Sequence, residues 1–180
     1  LLGAILFEVV AGFAPHAFPD PDPDAGASAL WVIIDNVVRE NTIRETDVAG
    51  ELLDIALRAM AAEPQERYSS VLEFQEAIRN YEHHEESRRL ADRAAETLRD
   101  SNSDQNGYEP FQKAAALYEE SCNVWTENSD ARNSLRETRL AYARMAQEKG
   151  DYDLGLQIAA LEQGESFTSL SSKLKQSKTV

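Results

Sequence analysis

The chain has 180 residues, 42% hydrophobic and 28% charged, with 18 Lys and Arg against 32 Asp and Glu for a formal net charge of −14. That length suits one ordinary domain or two small ones. The acidity argues against nucleic acid and an anionic membrane surface as partners, because both carry negative charge themselves. One cysteine, Cys122, cannot form an internal disulfide, so nothing asks for an oxidising compartment. No His neighbours Cys122 in sequence, and it reads as a small buried or half-buried helix residue.

Residues 1–11, within "LLGAILFEVVAGFAPH", form an apolar run with no basic residue before it and with Glu8 inside it. A signal peptide needs a basic start, and a membrane span needs about 20 apolar residues. The run fits a buried helix with Gly12 just past its end. That helix has no capping residue and no polar first turn, as though the sequence begins partway along it. Its all-round apolar character predicts burial on every side.

Residues 12–26 hold most of the prolines and read as a loop. Its "DPDPDAG" fails as a calcium loop. Counted from Asp20, Ala25 stands where Gly is needed and Trp31 where Glu is needed. Residues 27–39 place Leu30, Ile34, Val37 and Val38 on one helical face, with Trp31 beside them. Residues 49–62 predict a helix with Leu52, Leu53, Ala56, Leu57 and Met60 inward, ended by Pro64. Ser70 and Glu73 have capping-box spacing ahead of a helix with Val71, Phe74, Ile78 and Tyr81 on one stripe.

Residues 82–107 predict a charged linker: a solvated helix with i,i+4 ion pairs, then a loop. His83 and His84 are adjacent, about 100° apart on a helix, and read as exposed rather than as a metal pair. Residues 108–122 predict a helix with Phe111, Ala115, Tyr118 and Cys122 on one stripe. "TENSD" is a turn, residues 131–148 a longer helix, and Gly150 the break before a helix over 152–162. From Glu165 the chain is rich in Ser, Thr and Lys and reads as a disordered tail, 165–180. Ser169, Ser171 and Ser172 lie near Lys173 and Lys175 there and are candidate sites of autophosphorylation by an intact parent, with a plain linker as the alternative reading.

Two stretches of residues 1–81 resemble the distal part of the large lobe of a Ser/Thr protein kinase domain. Leu2, Gly3, Leu6, Glu8 and Gly12, with Pro15 after them, match one family signature. Leu53, Ala56, Leu57, Met60, Pro64, Arg67, Ser70 and Glu73 match the last one, and "EPQERY" is similar to bacterial members. The resemblance implies a parent enzyme that transfers the γ-phosphoryl of ATP, with Mg²⁺, to protein hydroxyls. It supplies no catalytic, cofactor-binding or metal residue here, because no G-x-G-x-x-G, H-R-D or D-F-G occurs in the chain. In the family these motifs precede the segment that Leu1 begins, so this chain by itself is expected to be inactive. The Arg matching Arg67 is buried in the family and pairs with an upstream Glu. Without that partner, Arg67 is expected to turn outward or to find a nearby acid; an ordinary surface Arg is the alternative.

Residues 108–164 resemble tetratricopeptide-type repeats. Gly150, Asp151, Tyr152, Asp153 and Leu156 match the repeat's turn, with Gly155 where Ala is usual. Tyr108 and Tyr152 are 44 residues apart, against 34 in a standard repeat. The expected fold is all-α: distal kinase-lobe helices, then antiparallel TPR-like hairpins and a disordered tail. Expected partners are proteins, including the missing part of the kinase domain, with basic surfaces favoured. A non-catalytic TPR-like interaction module is the second functional reading. The expected location is cytoplasmic, with an anchor elsewhere in the parent left open.

Overall fold

In a computed structural model, residues 1–16, 31, 34, 35, 37, 41–101 and 107–178 are described. Among these the chain is all-helical, with no strand. The helices are α1 (Leu2–Ala11), α2 (Glu51–Ala59), α3 (Val71–Ser101), α4 (Glu109–Val124), α5 (Ser129–Glu148), α6 (Tyr152–Ala159) and α7 (Glu165–Lys178). The chain divides into two units, Leu1–Glu82 and His83–Val180, with the boundary inside α3.

The first unit is built on an antiparallel pair, α1 against α2. Gly3 allows the approach: a Cβ there would lie 2.7 Å from Ala59 Cβ and 2.9 Å from Met60 Cγ. Phe7, Leu53 and Ala56 form the core, with Leu6, Val10, Phe13, Ile43 and Met60 around it. Gly12 ends α1 in the left-handed region at φ +81°, its N–H bonded to the Glu8 carbonyl at 2.8 Å, which glycine does without a Cβ penalty. The segment after it is pinned by three contacts. Arg44 N–H donates to the Pro15 carbonyl at 2.7 Å, His16 Nδ1 meets the Thr42 carbonyl at 3.0 Å, and the Arg44 guanidinium lies 4.2 Å above the Phe13 ring.

Several expectations need correction here. The first helix is not buried on every side: Gly3 and Phe7 face α2, while Leu2, Ile5 and Val9 are 47%, 52% and 74% exposed. One helix neighbour covers one face only. Pro64 does not end α2. The helix stops at Ala59, where Asn41 Nδ2 donates to the Met60 carbonyl at 2.9 Å, and Pro64 opens a 3-10 turn over Pro64–Glu66. Of the expected face over 27–39, Leu30 and Val38 lie outside the described residues, as does the Asp20 loop. Trp31, Ile34 and Val37 are exposed rather than inward.

The second unit is a succession of antiparallel helix pairs. The turns after α4, α5 and α6 are short, and side chains join neighbouring helices. Gln112 Nε2 donates to the Tyr142 hydroxyl at 2.8 Å, and Lys178 pairs with Asp153. Ala94, Ala114, Tyr118, Ala131 and Leu135 make one core cluster; Tyr142, Ala143, Ile158, Leu170 and Leu174 make another. The stretch from residue 82 is therefore not a solvated linker. Ser87, Leu90 and Ala94 are buried, because small residues every three to four positions give a charged helix a narrow packing stripe. Among the described residues it carries the i,i+3 ion pairs Glu85–Arg88 and Glu86–Arg89.

The buried arc of α4 also sits one residue off the expected stripe. Ala114, Tyr118 and Ser121 are fully inside, with Phe111, Ala115 and Cys122 half-buried, since α4 is covered from two sides. The tail is not disordered over 165–178. It forms α7, and Phe167, Leu170 and Leu174 are buried. Three apolar residues at 3–4 spacing suffice when a preformed helix receives them.

Candidate functional site

The residues singled out in the first unit lie on the surface of a local brace. Glu8, Gly12, Pro64 and Arg67 are exposed, and Gly3 is buried. Arg67 Nε donates to the Ala61 carbonyl at 2.7 Å and its Nη2 to the Ala62 carbonyl at 3.0 Å. The guanidinium therefore ties off peptide carbonyls beyond the end of α2 and meets solvent with its charge. Beside it, Arg58 stacks 4.2 Å from the Tyr68 ring and pairs with Glu73 at 2.9 Å.

Burial raises the Tyr68 pKa. Glu73 is held below the usual carboxylate range, chiefly by its bonds from Ser69 and then by Arg58. The capping box is displaced by one residue. Glu73 N–H donates to the Ser70 hydroxyl at 3.2 Å, but the Glu73 carboxylate accepts from Ser69 N–H at 2.7 Å instead of Ser70 N–H.

In the second unit Gly150, Asp151 and Tyr152 lie at the junction of α5 and α6. Gly150 adopts φ +80°. Its N–H bonds Gln147 carbonyl at 3.1 Å, and Asp151 N–H bonds Ala146 carbonyl at 2.8 Å. This double closure is a Schellman motif, which satisfies the last carbonyls of α5 and reverses the chain. Asp151 then caps α6 by its backbone, while its carboxylate accepts from the Tyr108 hydroxyl. That bond pushes the Tyr108 pKa up to about 12, because deprotonation would set a phenolate against a carboxylate. Tyr152 is half-buried against the second core cluster. Gly155 has no room for an ordinary side chain: a Cβ would meet Leu174 at 3.1 Å and the Ala143 carbonyl at 3.3 Å.

The residues sequence reasoning missed form the most built polar site of the unit. Ser87 on α3 and Ser121 on α4 are both fully buried. Ser87 Oγ donates to the Ser121 carbonyl at 2.8 Å, and Ser121 Oγ donates to the Ser87 carbonyl at 2.7 Å. Asn128 Nδ2 donates to Ser87 Oγ at 2.9 Å, and Asn128 Oδ1 accepts from Ala131 N–H at 3.0 Å, capping α5. Single serines on charged helices gave no sign of this; only the turn at "TENSD" pointed at the neighbourhood of Asn128.

Outside this network lies a groove of about 420 Å³ between α3 and the start of α5. Ala91, Ala95, Ala131, Tyr118 and Trp125 line it together with Arg88, and the exposed Asp92, Glu127 and Asp130 lie at its rim. Trp125 is fixed by His84, stacked at 4.1 Å, and by Arg88 at 5.5 Å. So His84 is a packing residue, half-buried, while His83 is exposed. Burial raises the pKa of the Cys122 thiol, the opposite of what a nucleophile needs.

Arg139 joins Glu119 and Glu162, each at 2.5 Å. Burial works against its charge, but those two carboxylates outweigh burial and raise its pKa. Among the described residues no group of three His, Cys, Asp or Glu could hold a metal ion. Nor is any helix of the described residues long and apolar enough to cross a membrane.

Compared with known protein families, curated proteins and solved structures, the chain matches none of them.

Proposed function

We propose that this chain is the non-catalytic, protein-binding part of a Ser/Thr protein kinase-type protein. In this reading residues 1–81 are distal large-lobe helices and the His83–Val180 unit is a TPR-like interaction module. The observation that carries the binding role is the groove beside Trp125. It has apolar lining residues and three rim carboxylates, Asp92, Glu127 and Asp130, that form no ion pair among the described residues. Such a groove suits a basic protein segment: apolar stems lie on the alanines and the indole, and ammonium or guanidinium groups reach the rim. The kinase side rests on the two sequence signatures and on Gly3, whose missing side chain is what lets α1 and α2 meet. ATP, Mg²⁺ and phosphoryl transfer belong, in this reading, to parts of the parent outside these 180 residues.

The test is titration of the pure chain with a Lys- and Arg-rich peptide, followed by Trp125 emission in a Trp31→Phe background. Binding that weakens with salt and is lost in Asp92→Lys with Asp130→Lys supports the reading. Equal binding of an acidic peptide overturns it. On the kinase side, labelled phosphate transferred from ATP to a protein by the pure chain overturns the non-catalytic assignment.

A further inference from the structure

The helix α7 brings a serine hydroxyl into a cleft with two cations. Ser166, Ser169, Leu170 and Lys173 of α7 and Arg144, Gln147 and Glu148 of α5 line an open cleft of about 420 Å³. Neither Arg144 nor Lys173 forms an ion pair among the described residues, although the chain has 32 acidic side chains against 18 basic ones. Two exposed cations without an ion pair line one cleft of an acidic chain and are open to an added anion. Ser169 is exposed, and its hydroxyl makes no hydrogen bond among the described residues. It stands four residues, one helical turn, before Lys173.

The neighbouring hydroxyls are less suited. Ser172 Oγ donates to the Thr168 carbonyl at 3.0 Å and Thr168 Oγ1 to the Gly164 carbonyl at 3.0 Å. Ser171 is half-buried, and Ser166 adjoins Glu165 and lies two turns from Lys173.

We propose that Ser169 is a phosphorylation site whose phosphate is clamped by Arg144 of α5 and Lys173 of α7, fastening α7 to α5. A Ser/Thr kinase acting in trans transfers the γ-phosphoryl of a nucleoside triphosphate. The Oγ–P bond forms, the bond from the γ-phosphorus to the bridging oxygen breaks, the nucleoside diphosphate leaves, and the hydroxyl proton passes to the kinase's base. The product carries close to two negative charges near neutral pH and three acceptor oxygens, which Arg144 and Lys173 receive as charge-assisted hydrogen bonds. Glu148 opposes the clamp by repulsion. The inference stands on the cleft alone and does not depend on the kinase-type reading of residues 1–81.

The experiment has two arms on the full chain. Mass spectrometry of the chain from its native cells is expected to find phosphate on Ser169; its absence there overturns the modification. The second arm installs phosphoserine at 169 during synthesis and follows amide exchange of α7. Exchange is expected to slow about tenfold, less so below pH 6, where the phosphate takes up a proton. Arg144→Gln is expected to remove the slowing, and Glu148→Gln to enlarge it. Unchanged or faster exchange overturns the clamp. So does slowing that survives Arg144→Gln, or equal slowing by phosphoserine at 172.

Discussion

Ser87 and Ser121 each donate a hydroxyl proton to the other's backbone carbonyl, 2.8 Å one way and 2.7 Å the other, with the two oxygens 2.9 Å apart. Only short side chains permit this. The helices α3 and α4 must approach closely enough for each hydroxyl to reach across, and that closeness is what seals the network from water. Hydrogen bonds so shielded are costly to break singly, because the partner left behind has no water to turn to.

Ser87→Ala is accordingly expected to cost about 1–3 kcal/mol, since it strips the Asn128 amide of its acceptor. The double variant Ser87→Ala with Ser121→Ala should cost less than the sum of the single ones. Urea unfolding followed by far-UV dichroism, analysed as a double-mutant cycle, measures the coupling. Additive losses would mean the two serines act independently.

Asn128 has two separable duties. Asn128→Asp keeps the oxygen that caps α5 and loses the donor to Ser87, whereas Asn128→Ala loses both. The alanine variant is expected to lose about 0.5–2 kcal/mol for the cap in addition to the loss seen in the aspartate one. The order of their unfolding midpoints checks this.

Gly3→Ala should loosen the α1–α2 pair by about 1–3 kcal/mol, because its new Cβ meets Ala59 Cβ and the Ala56 carbonyl with no flexible atom to yield. Amide exchange should quicken in α1 and α2 and stay unchanged in α5 to α7. Gly150→Ala, by contrast, enters open space and is penalised only by its left-handed backbone, about 1 kcal/mol. Gly150→Asn should recover part of that loss.

Tyr108 links folding to alkaline pH. Its pKa is pushed up to about 12 in the folded chain by Asp151, against an ordinary value of 10.0. The unfolded chain loses this proton first, so the contribution of the bond to stability is intact below about pH 10 and falls away as pH rises toward 12. Asp151→Asn should bring the phenol back toward its ordinary value. Ultraviolet difference absorbance of the phenolate, read residue by residue through Tyr108→Phe, follows it.

The helical character of the chain was legible from periodicity, and so were the turns at Gly12 and Gly150, where composition and backbone demand coincide. What stayed hidden had one physical cause. In α3 and α7 the packing stripes are made of Ser, Ala and isolated Leu, so mean polarity pointed to a solvated linker and a disordered tail. Burial there depends on what the neighbouring helix offers, Leu174 against Gly155 or Ser121 against Ser87, and no single segment records its neighbour. The Asp92–Trp125–Asp130 groove was hidden for the same reason, being assembled from segments that pair only in the fold. On α1, sequence suggested more than the fold grants: an apolar run announces that it can be buried, not how many neighbours will do it.

One consequence of α7 concerns what α6 would meet without it. Its buried stripe is three residues wide, and the opposite surface presents Thr168, Ser169, Ser172, Lys173, Lys175 and Gln176, all exposed. Leu170 and Leu174 of α7 cover Ile158 and Gly155 of α6, and the polar face of α7 is what that side of the pair shows to water.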